Sequence, residues 1–213
     1  MKEYKETLNR PHIILNMAQS INGYISKISG ERAYISSEED NIRVQTLRNN
    51  SDGILVGYRT VIKDNPSLIA PNNKNSIRLI IDPRCSLTPN YRVMDGKRKT
   101  IILNSEKSEK YEENIEYVNC GKPFNLEKSL ELIYEKGIRS VLVEGGRVTA
   151  EAFLQRGFVD EMYMFIGDLF LEDGGILSPT TDREIRNVIL DVRIMKGGLL
   201  LKIDPSKFKR EWK

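Results

Sequence analysis

Short apolar runs alternate with polar, helix-spaced stretches along most of this chain. Strand-like runs fall at His12–Met17, Gly53–Val56, Ile77–Ile81, Lys99–Leu103, Ile115–Val118, Ser140–Val143, Glu161–Ile166 and Leu199–Ile203. Their β-branched and aromatic content suits buried strands. Between several of them the period lengthens. Ser37-Glu38-Glu39-Asp40 reads as an N-cap and an acidic first turn, with Ile42, Val44 and Leu47 on one face of the helix that follows. Asn125–Lys136 sets Leu126, Leu130, Ile133 and Tyr134 at helical spacing and stops at Gly137, and Thr149–Arg156 is a short helix stopping at Gly157. This alternation predicts an α/β fold, a mostly parallel central sheet with helices on both faces. From Glu161 onward strands follow one another without clear helices, which predicts antiparallel C-terminal strands. No repeat or low-complexity linker divides residues 1–213, so one domain is expected, with its core over residues 10–204 and flexible ends. The polar stretches Pro71–Ser76 and Glu106–Asn114 are expected as exposed loops.

Composition narrows the partners. Net charge is only +3 and the basic residues are scattered among acids, apart from the terminal Lys207–Lys213, which reads as a solvated end. No nucleic-acid partner is implied. No apolar run is long enough for a bilayer, and Met1–Glu6 lacks the apolar core of a signal peptide, so no membrane partner is expected. Cys85 and Cys120 do not suggest a disulfide framework and fit a reducing cytoplasm. There is one histidine, His12. That inventory argues against a His/Cys zinc site, and no Gly-x-Ser-x-Gly elbow accompanies His12 for a serine triad. His12 reads as a strand-edge residue, and no metal is expected. The chemistry must be borrowed from a cofactor or from the substrate.

Two strand ends carry that possibility. Asp52–Val56 runs into Gly57-Tyr58-Arg59-Thr60, then Asp64-Asn65-Pro66. Gly57 permits close backbone approach, Thr60 sits at a helix N-terminus with free N–H groups, and Asp64 lies one turn further on the same side. Asn65-Pro66 stops the helix. The second strand, Ser140–Val143, ends in Glu144-Gly145-Gly146 and opens a helix at Arg147-Val148-Thr149. Open α/β sheets bind ligands at such strand ends, and paired glycines let a phosphate reach backbone N–H groups. Each is also compatible with a plain turn; together they favour a nucleotide site. Near the first strand, Asn22-Gly23 is a turn signal, with Ala18 small enough for a ring to stack above it.

In order, Ser20-Ile21-Asn22-Gly23, Val56 through Leu68, Ile81-Asp82-Pro83, Glu144-Gly145-Gly146 and Val159-Asp160-Glu161 resemble the motifs of the riboflavin-biosynthesis reductase family. That family comprises stand-alone archaeal and fungal reductases and the C-terminal domain of bacterial deaminase-reductases. The resemblance spans roughly residues 10 to 204 and implies a dihydrofolate-reductase-like fold. It implies NADPH, with NADH as an alternative, held by Gly57, Thr60, Asp64 and the turn Gly145, Gly146, Arg147, Val148, Thr149. Ala18 and Tyr34 would flank the cofactor and Arg84 would meet its 2′-phosphate. Arg32, Arg48, Leu68 and Glu144 would contact a phosphorylated small-molecule substrate, Glu144 also steering or protonating the opening sugar; a carboxylate capping the next helix is the other reading of Glu144. A homodimer is implied, with Met162–Ile166 serving either a core or an interface. The implied activity is reduction of a ribosylamino-pyrimidine phosphate to its ribitylamino product. A pterin or dihydrofolate reductase, or a non-catalytic nucleotide-binding protein, are the alternatives. Asn22 stands where the family carries Asp, Pro71 where many members carry Arg or His, and Arg147 where a third glycine is common.

Overall fold

Ten strands form one sheet. The computed structural model describes residues 9–29, 33–106, 110–112, 114–172, 174–179 and 183–209. The strands are β1 (His12–Ser20), β3 (Gly53–Gly57), β4 (Ile77–Ile81), β5 (Thr100–Asn104), β6 (Lys110–Glu112), β7 (Ile115–Asn119), β8 (Ser140–Val143), β9 (Glu161–Gly167), β11 (Ile189–Met195) and β12 (Gly198–Ile203). A separate two-stranded ribbon pairs β2 (Tyr24–Ser26) with β10 (Ile176–Leu177). The central pairings, β9-β1-β8-β3-β4-β5-β7, are all parallel, and the antiparallel pairings lie at the two edges.

Alternation along the strands divides the core between two faces. Leu55, Leu79, Ile101 and Val141 join α3 (Leu126–Glu135) and α4 (Arg147–Arg156) in one cluster, through Leu126, Leu130, Ile133, Ala150 and Phe153. Ile54, Val56, Ile80 and Ile102 face the other way, against Val61 of α2 (Tyr58–Asp64) and against Leu68, Ala70 and Val93. These side chains are almost fully withdrawn from water, each contributing about 1.5–3 kcal/mol before entropy is counted. Helices therefore do cover both faces, and the C-terminal strands are antiparallel, as the sequence predicts.

Local signals act as expected at the helix ends. Ser37 Oγ accepts from the Asp40 N–H at 3.2 Å and caps α1 (Glu38–Asn49), and Asn125 Oδ1 accepts from the Lys128 N–H at 3.1 Å at the start of α3. Gly157 ends α4 in the left-handed region, φ 68°.

Several expectations need correction. α1 does not bury Ile42, which is exposed. Its inward face instead carries Asp40, wholly buried, whose Oδ1 accepts from Arg43 Nε at 2.9 Å while Arg43 Nη2 reaches Asn16 Oδ1 at 2.6 Å. Amphipathic spacing could not show this polar seam, which depends on Asn16 of β1. The stretch 106–114 is not wholly a loop, since Lys110–Glu112 pairs antiparallel with β7. Strand β11 is absent from the sequence reading although Leu190-Asp191-Val192-Arg193-Ile194 alternates, and nearly all of it is exposed. Met162–Ile166 serves the core: Met162, Met164 and Phe165 are buried. Residues 1–8 and 210–213, which include most of the two ends expected to be flexible, lie outside the described residues.

At the amino ends of β1 and β9 the sheet is held by Asp160. Its carboxylate takes two bonds from Arg10, 2.6 and 2.7 Å, and one from the Ile13 N–H at 2.7 Å. Burial opposes ionisation of Asp160, but the bonds and charge of Arg10, the Ile13 N–H and nearby His12 outweigh it and lower the pKa. A depressed carboxylate pKa stabilises the fold above the ordinary carboxylate range, and that contribution disappears as pH falls through the depressed value. Asp160→Asn is therefore expected to cost about 1–3 kcal/mol at pH 7. In urea titrations across pH, the difference from wild type should shrink toward zero under strong acid; a constant difference would refute the ion-pair origin.

Candidate functional site

Parallel pairing places the carboxyl ends of β1, β9, β8, β3 and β4 along one edge of the sheet, with Ser20 opposite Gly167, Leu55 opposite Val143, and Gly57 opposite Ile81. Strand order reverses here, since β8 lies between β1 and β3. Such switch points open a crevice for ligands. The two glycine-marked turns are neighbours because their strands, β3 and β8, are neighbours.

The turns interlock. A Cβ on Gly57 would lie 2.6 Å from Thr149 Oγ1, one on Gly146 would lie 3.0 Å from Thr60 Oγ1, and one on Gly145 would lie 3.0 Å from Val56 Cα. Each threonine hydroxyl thus occupies the space that the opposite glycine leaves open. Gly146 adopts φ 40°, ψ 143°, which only glycine takes without strain. Neither Gly57 before α2 nor Gly146 before α4 supplies a side-chain cap. Two helix N-termini therefore converge with no side chain of their cap residues claiming the first N–H groups, an arrangement suited to phosphate oxygens.

Beside this cradle lies a cavity of about 270 Å³ lined by Arg48, Val56, Thr60, Asp64, Asn65, Pro66, Ser67, Leu68, Arg92 and Glu144. Its wall after α2 is shaped by two non-glycine residues in the left-handed region, Asn65 at φ 40° and Leu68 at φ 46°. Such residues cost on the order of 1 kcal/mol or more and persist only where packing holds them. Leu68 is buried in the core cluster of that face, and Asn65 Oδ1 accepts from the Arg92 N–H at 2.8 Å.

Arg48 and Glu144 form the cavity's charged pair. Nε and Nη2 of Arg48 donate to Oε1 and Oε2 of Glu144, each at 2.6 Å, and Nη1 makes a longer contact with the Ile69 carbonyl at 3.4 Å. Burial works against the Arg48 charge, yet the bonds and charge of Glu144 outweigh it and raise the guanidinium's pKa. The arrangement is a fork-on-fork pair. Glu144 does not cap α4, which removes one of its two sequence readings. Arg48 is likewise no free surface cation.

Of the residues singled out in the sequence, Arg48, Thr60, Asp64, Leu68 and Glu144 line the cavity. Gly57, Gly145, Gly146 and Thr149 form the cradle. Arg147 is turned to Glu151, 2.8 Å, along its own helix, and Val148 is exposed. Ala18, on β1, packs beside Phe165, Met195 and Leu200. Tyr34 is 81% exposed in the segment before α1, and Arg84 is exposed in the turn after β4; neither lines the cavity. Arg32 lies outside the described residues. Ser67 and Arg92 are lining residues that the sequence reading missed. Ser67 sits between two residues of a recognised motif and was within reach. Arg92 arrives through Asn65 from a segment distant in sequence, and nothing local marks it.

Asn22 has a structural task. Its Oδ1 accepts from Ser20 Oγ at 2.7 Å and from the Leu171 N–H at 3.1 Å, while its Nδ2 donates to the Leu171 carbonyl at 2.7 Å. It pins the segment after β9 to the turn after β1. A carboxylate has no donor for the Leu171 carbonyl. Asn22→Asp is therefore expected to lower stability by about 1–3 kcal/mol, roughly 2–4 °C in Tm per kcal/mol for a chain of this size. An unchanged melting curve would show that the clamp is dispensable.

Among the described residues, no helix is long and apolar enough to cross a membrane and no group of three or more His, Cys, Asp or Glu side chains could hold a metal.

Comparison with known proteins places this geometry. The RibD C-terminal domain matches residues 11–196. The 2,5-diamino-6-ribosylamino-4(3H)-pyrimidinone 5′-phosphate reductase of Archaeoglobus fulgidus is 31% identical over 80% of this chain and 85% of its own length. The riboflavin biosynthesis protein RibD of Aquifex aeolicus is 32% identical over 89% of this chain, which spans only 54% of that longer protein. The crystal structure of a diaminohydroxyphosphoribosylaminopyrimidine deaminase/5-amino-6-(5-phosphoribosylamino)uracil reductase from Thermotoga maritima superposes with TM-score 0.79 and 25% identity, covering 91% of this chain and 56% of that one. The riboflavin biosynthesis reductase Rib7 of Saccharomyces cerevisiae has the same fold, TM-score 0.76 at 24% identity, over 93% of this chain and 91% of its own.

Proposed function

This chain belongs to the RibD C-terminal domain family, and from that premise we propose that it reduces the ribosylamino group of a pyrimidine ribotide to ribitylamino, with NADPH as reductant. The observation that carries the reading is the adjacency of an uncapped double-glycine cradle and a cavity with an Arg–Glu fork. One suits a cofactor's phosphates and the other a polar sugar. We read residues 10–204 as one reductase unit, since β12 and β11 near the C-terminus complete the sheet that β1 begins.

NADPH, when bound, supplies hydride to C1′ of the substrate. The residues of the chain do the rest. Gly57, Gly145 and Gly146 leave room at the two helix N-termini, and Thr60 and Thr149 offer hydroxyls across the cradle. Asp64 faces the cavity one turn after Thr60. Opening of the ribose puts a proton on the ring oxygen and leaves C1′ doubly bonded to nitrogen. Reduction then adds hydride at carbon and a proton at nitrogen. Glu144, with both oxygens taken by Arg48, suits the steering role, accepting hydrogen bonds from sugar hydroxyls, better than proton donation. Positioning in a dry pocket is then the enzyme's main contribution.

The test is to follow nicotinamide absorbance with the aminopyrimidine ribotide and, separately, with dihydrofolate. Oxidation with the ribotide is expected. Turnover of dihydrofolate alone would replace this reading with a pterin reductase, and NADPH binding without turnover of either would replace it with a non-catalytic nucleotide-binding role. Comparing NADPH with NADH in the same assay decides the cofactor.

A second copy of the chain is the cover we assign to β11. Ile189, Leu190, Val192 and Ile194 of this edge strand are exposed, Ile194 by 84%. An open apolar edge of this kind is a pairing surface. Light scattering is expected to give twice the chain mass.

A further inference from the structure

We propose that Arg92 binds the phosphate of the substrate, as the uncommitted cation of the cavity beside the Arg48–Glu144 fork. The proposal rests on the phosphoribosyl substrate assigned above and adds to it a residue from outside the recognised motifs. The cavity is lined by the cations Arg48 and Arg92 and the carboxylates Glu144 and Asp64. Arg48 has both of its fork-facing nitrogens on Glu144, so this pair is close to neutral toward a ligand. A phosphate entering the cavity meets net attraction only where a cation is unspent. Among the described residues, the Arg92 guanidinium makes no hydrogen bond or ion pair.

Its backbone, in contrast, is fixed at both ends. The Arg92 N–H donates to Asn65 Oδ1 at 2.8 Å, and its carbonyl accepts from Arg78 Nη1 at 3.2 Å. Arg78 is itself 1% exposed and held by Asp95 at 2.7 Å. A buried arginine, paired with Asp95 at the surface, thus anchors the base of an exposed, uncommitted arm. The chain's own structure spends a buried arginine on placing another arginine at the cavity wall. A guanidinium offers paired donors to phosphate oxygens. The cofactor's phosphates are the other source of this chemistry: Thr60 and Asp64 line the cavity too, but Gly57, Gly145, Gly146 and Thr149 of the cradle do not, whereas the substrate-assigned Arg48, Leu68 and Glu144 all do. That division favours the substrate.

Calorimetric titration with ribose 5-phosphate, ribose and NADPH tests the assignment on wild type, Arg92→Ala and Arg92→Lys. Because only the side chain changes and it is exposed, both variants should keep the wild-type melting temperature. Arg92→Ala is expected to weaken ribose 5-phosphate about tenfold, with Arg92→Lys recovering part of the loss and NADPH affinity unchanged. Unweakened binding of ribose 5-phosphate by Arg92→Ala overturns the role of Arg92 alone. A loss confined to NADPH also overturns it, by moving Arg92 to the cofactor. A wild type that binds NADPH but not ribose 5-phosphate overturns the phosphoribosyl reading beneath it. Should Arg92→Ala melt early, Arg92→Lys decides alone: affinity equal to wild type supports a charge contact, and loss equal to that of the alanine variant overturns it.

Discussion

Glu144→Gln is expected to lower kcat/KM for the aminopyrimidine ribotide about 10- to 100-fold, with most of the change in KM. Glutamine keeps the shape and one acceptor of the carboxylate but gives up the charge that holds Arg48. The two 2.6 Å bonds between these side chains set the direction of both groups at the cavity wall. With the fork broken, Arg48 is free to swing toward the Ile69 carbonyl it already touches. A proton-donor role for Glu144 makes a different forecast: kcat would fall about 10²- to 10⁴-fold and the alkaline limb of the pH–rate profile would vanish. The KM-against-kcat split and the pH profile therefore decide between steering and proton transfer. The pair is only partly screened, with side-chain exposures of 19% for Arg48 and 11% for Glu144. Leaving Arg48 without its partner should cost about 1–3 kcal/mol, less than for a wholly buried pair. Arg48→Met breaks the same unit, so the double variant is expected to be more stable than the sum of the single losses predicts. Additive losses would show that the fork contributes no coupling.

Gly146→Ala is expected to weaken NADPH at least tenfold, about 1.4 kcal/mol or more. Two effects act together. Alanine at φ 40°, ψ 143° costs about 1–3 kcal/mol of backbone strain. Its Cβ would also press on Thr60 Oγ1 at 3.0 Å, moving the hydroxyl that faces the cradle. Gly137→Ala is the matched control: φ there is 88°, nothing lies within 4 Å of the added Cβ, and the residue follows α3, away from the two glycine turns. Both variants should lose stability, but only Gly146→Ala should lose cofactor affinity. Equal NADPH binding by Gly146→Ala and wild type would remove the cradle from the cofactor site.

Much of this architecture was legible because the informative signals are local. Glycine at φ 40°, a serine that caps its own helix, and a strand alternating between two buried faces are set within a few residues. For that reason the central strands and the glycine turns were read in place. What was not legible depends on distance. Asp40 is buried because Arg43 and Asn16 meet it, and Arg92 faces the cavity because Asn65 holds its backbone. Glu144 looked like a helix cap until Arg48, 96 positions away, took both its oxygens. Strand β11 is a different case: Leu190-Asp191-Val192-Arg193-Ile194 carries the alternation of a strand, yet it lies exposed at the open edge of the sheet rather than against the core.

The position of β1 has a consequence for how the chain comes off the ribosome. Its first residue, His12, pairs with Ser140, and its other neighbour begins at Glu161. None of the strands β2 to β7 pairs with it. Until β8 has been translated, Ile13, Leu15 and Met17, all buried in the finished sheet, have no strand to lie against. The parallel block β3-β4-β5-β7 closes over shorter spans of chain and is the natural early-forming unit. Strand β1 is thus made well before either of its partners, and the growing chain must carry its apolar side chains without a neighbouring strand over that interval.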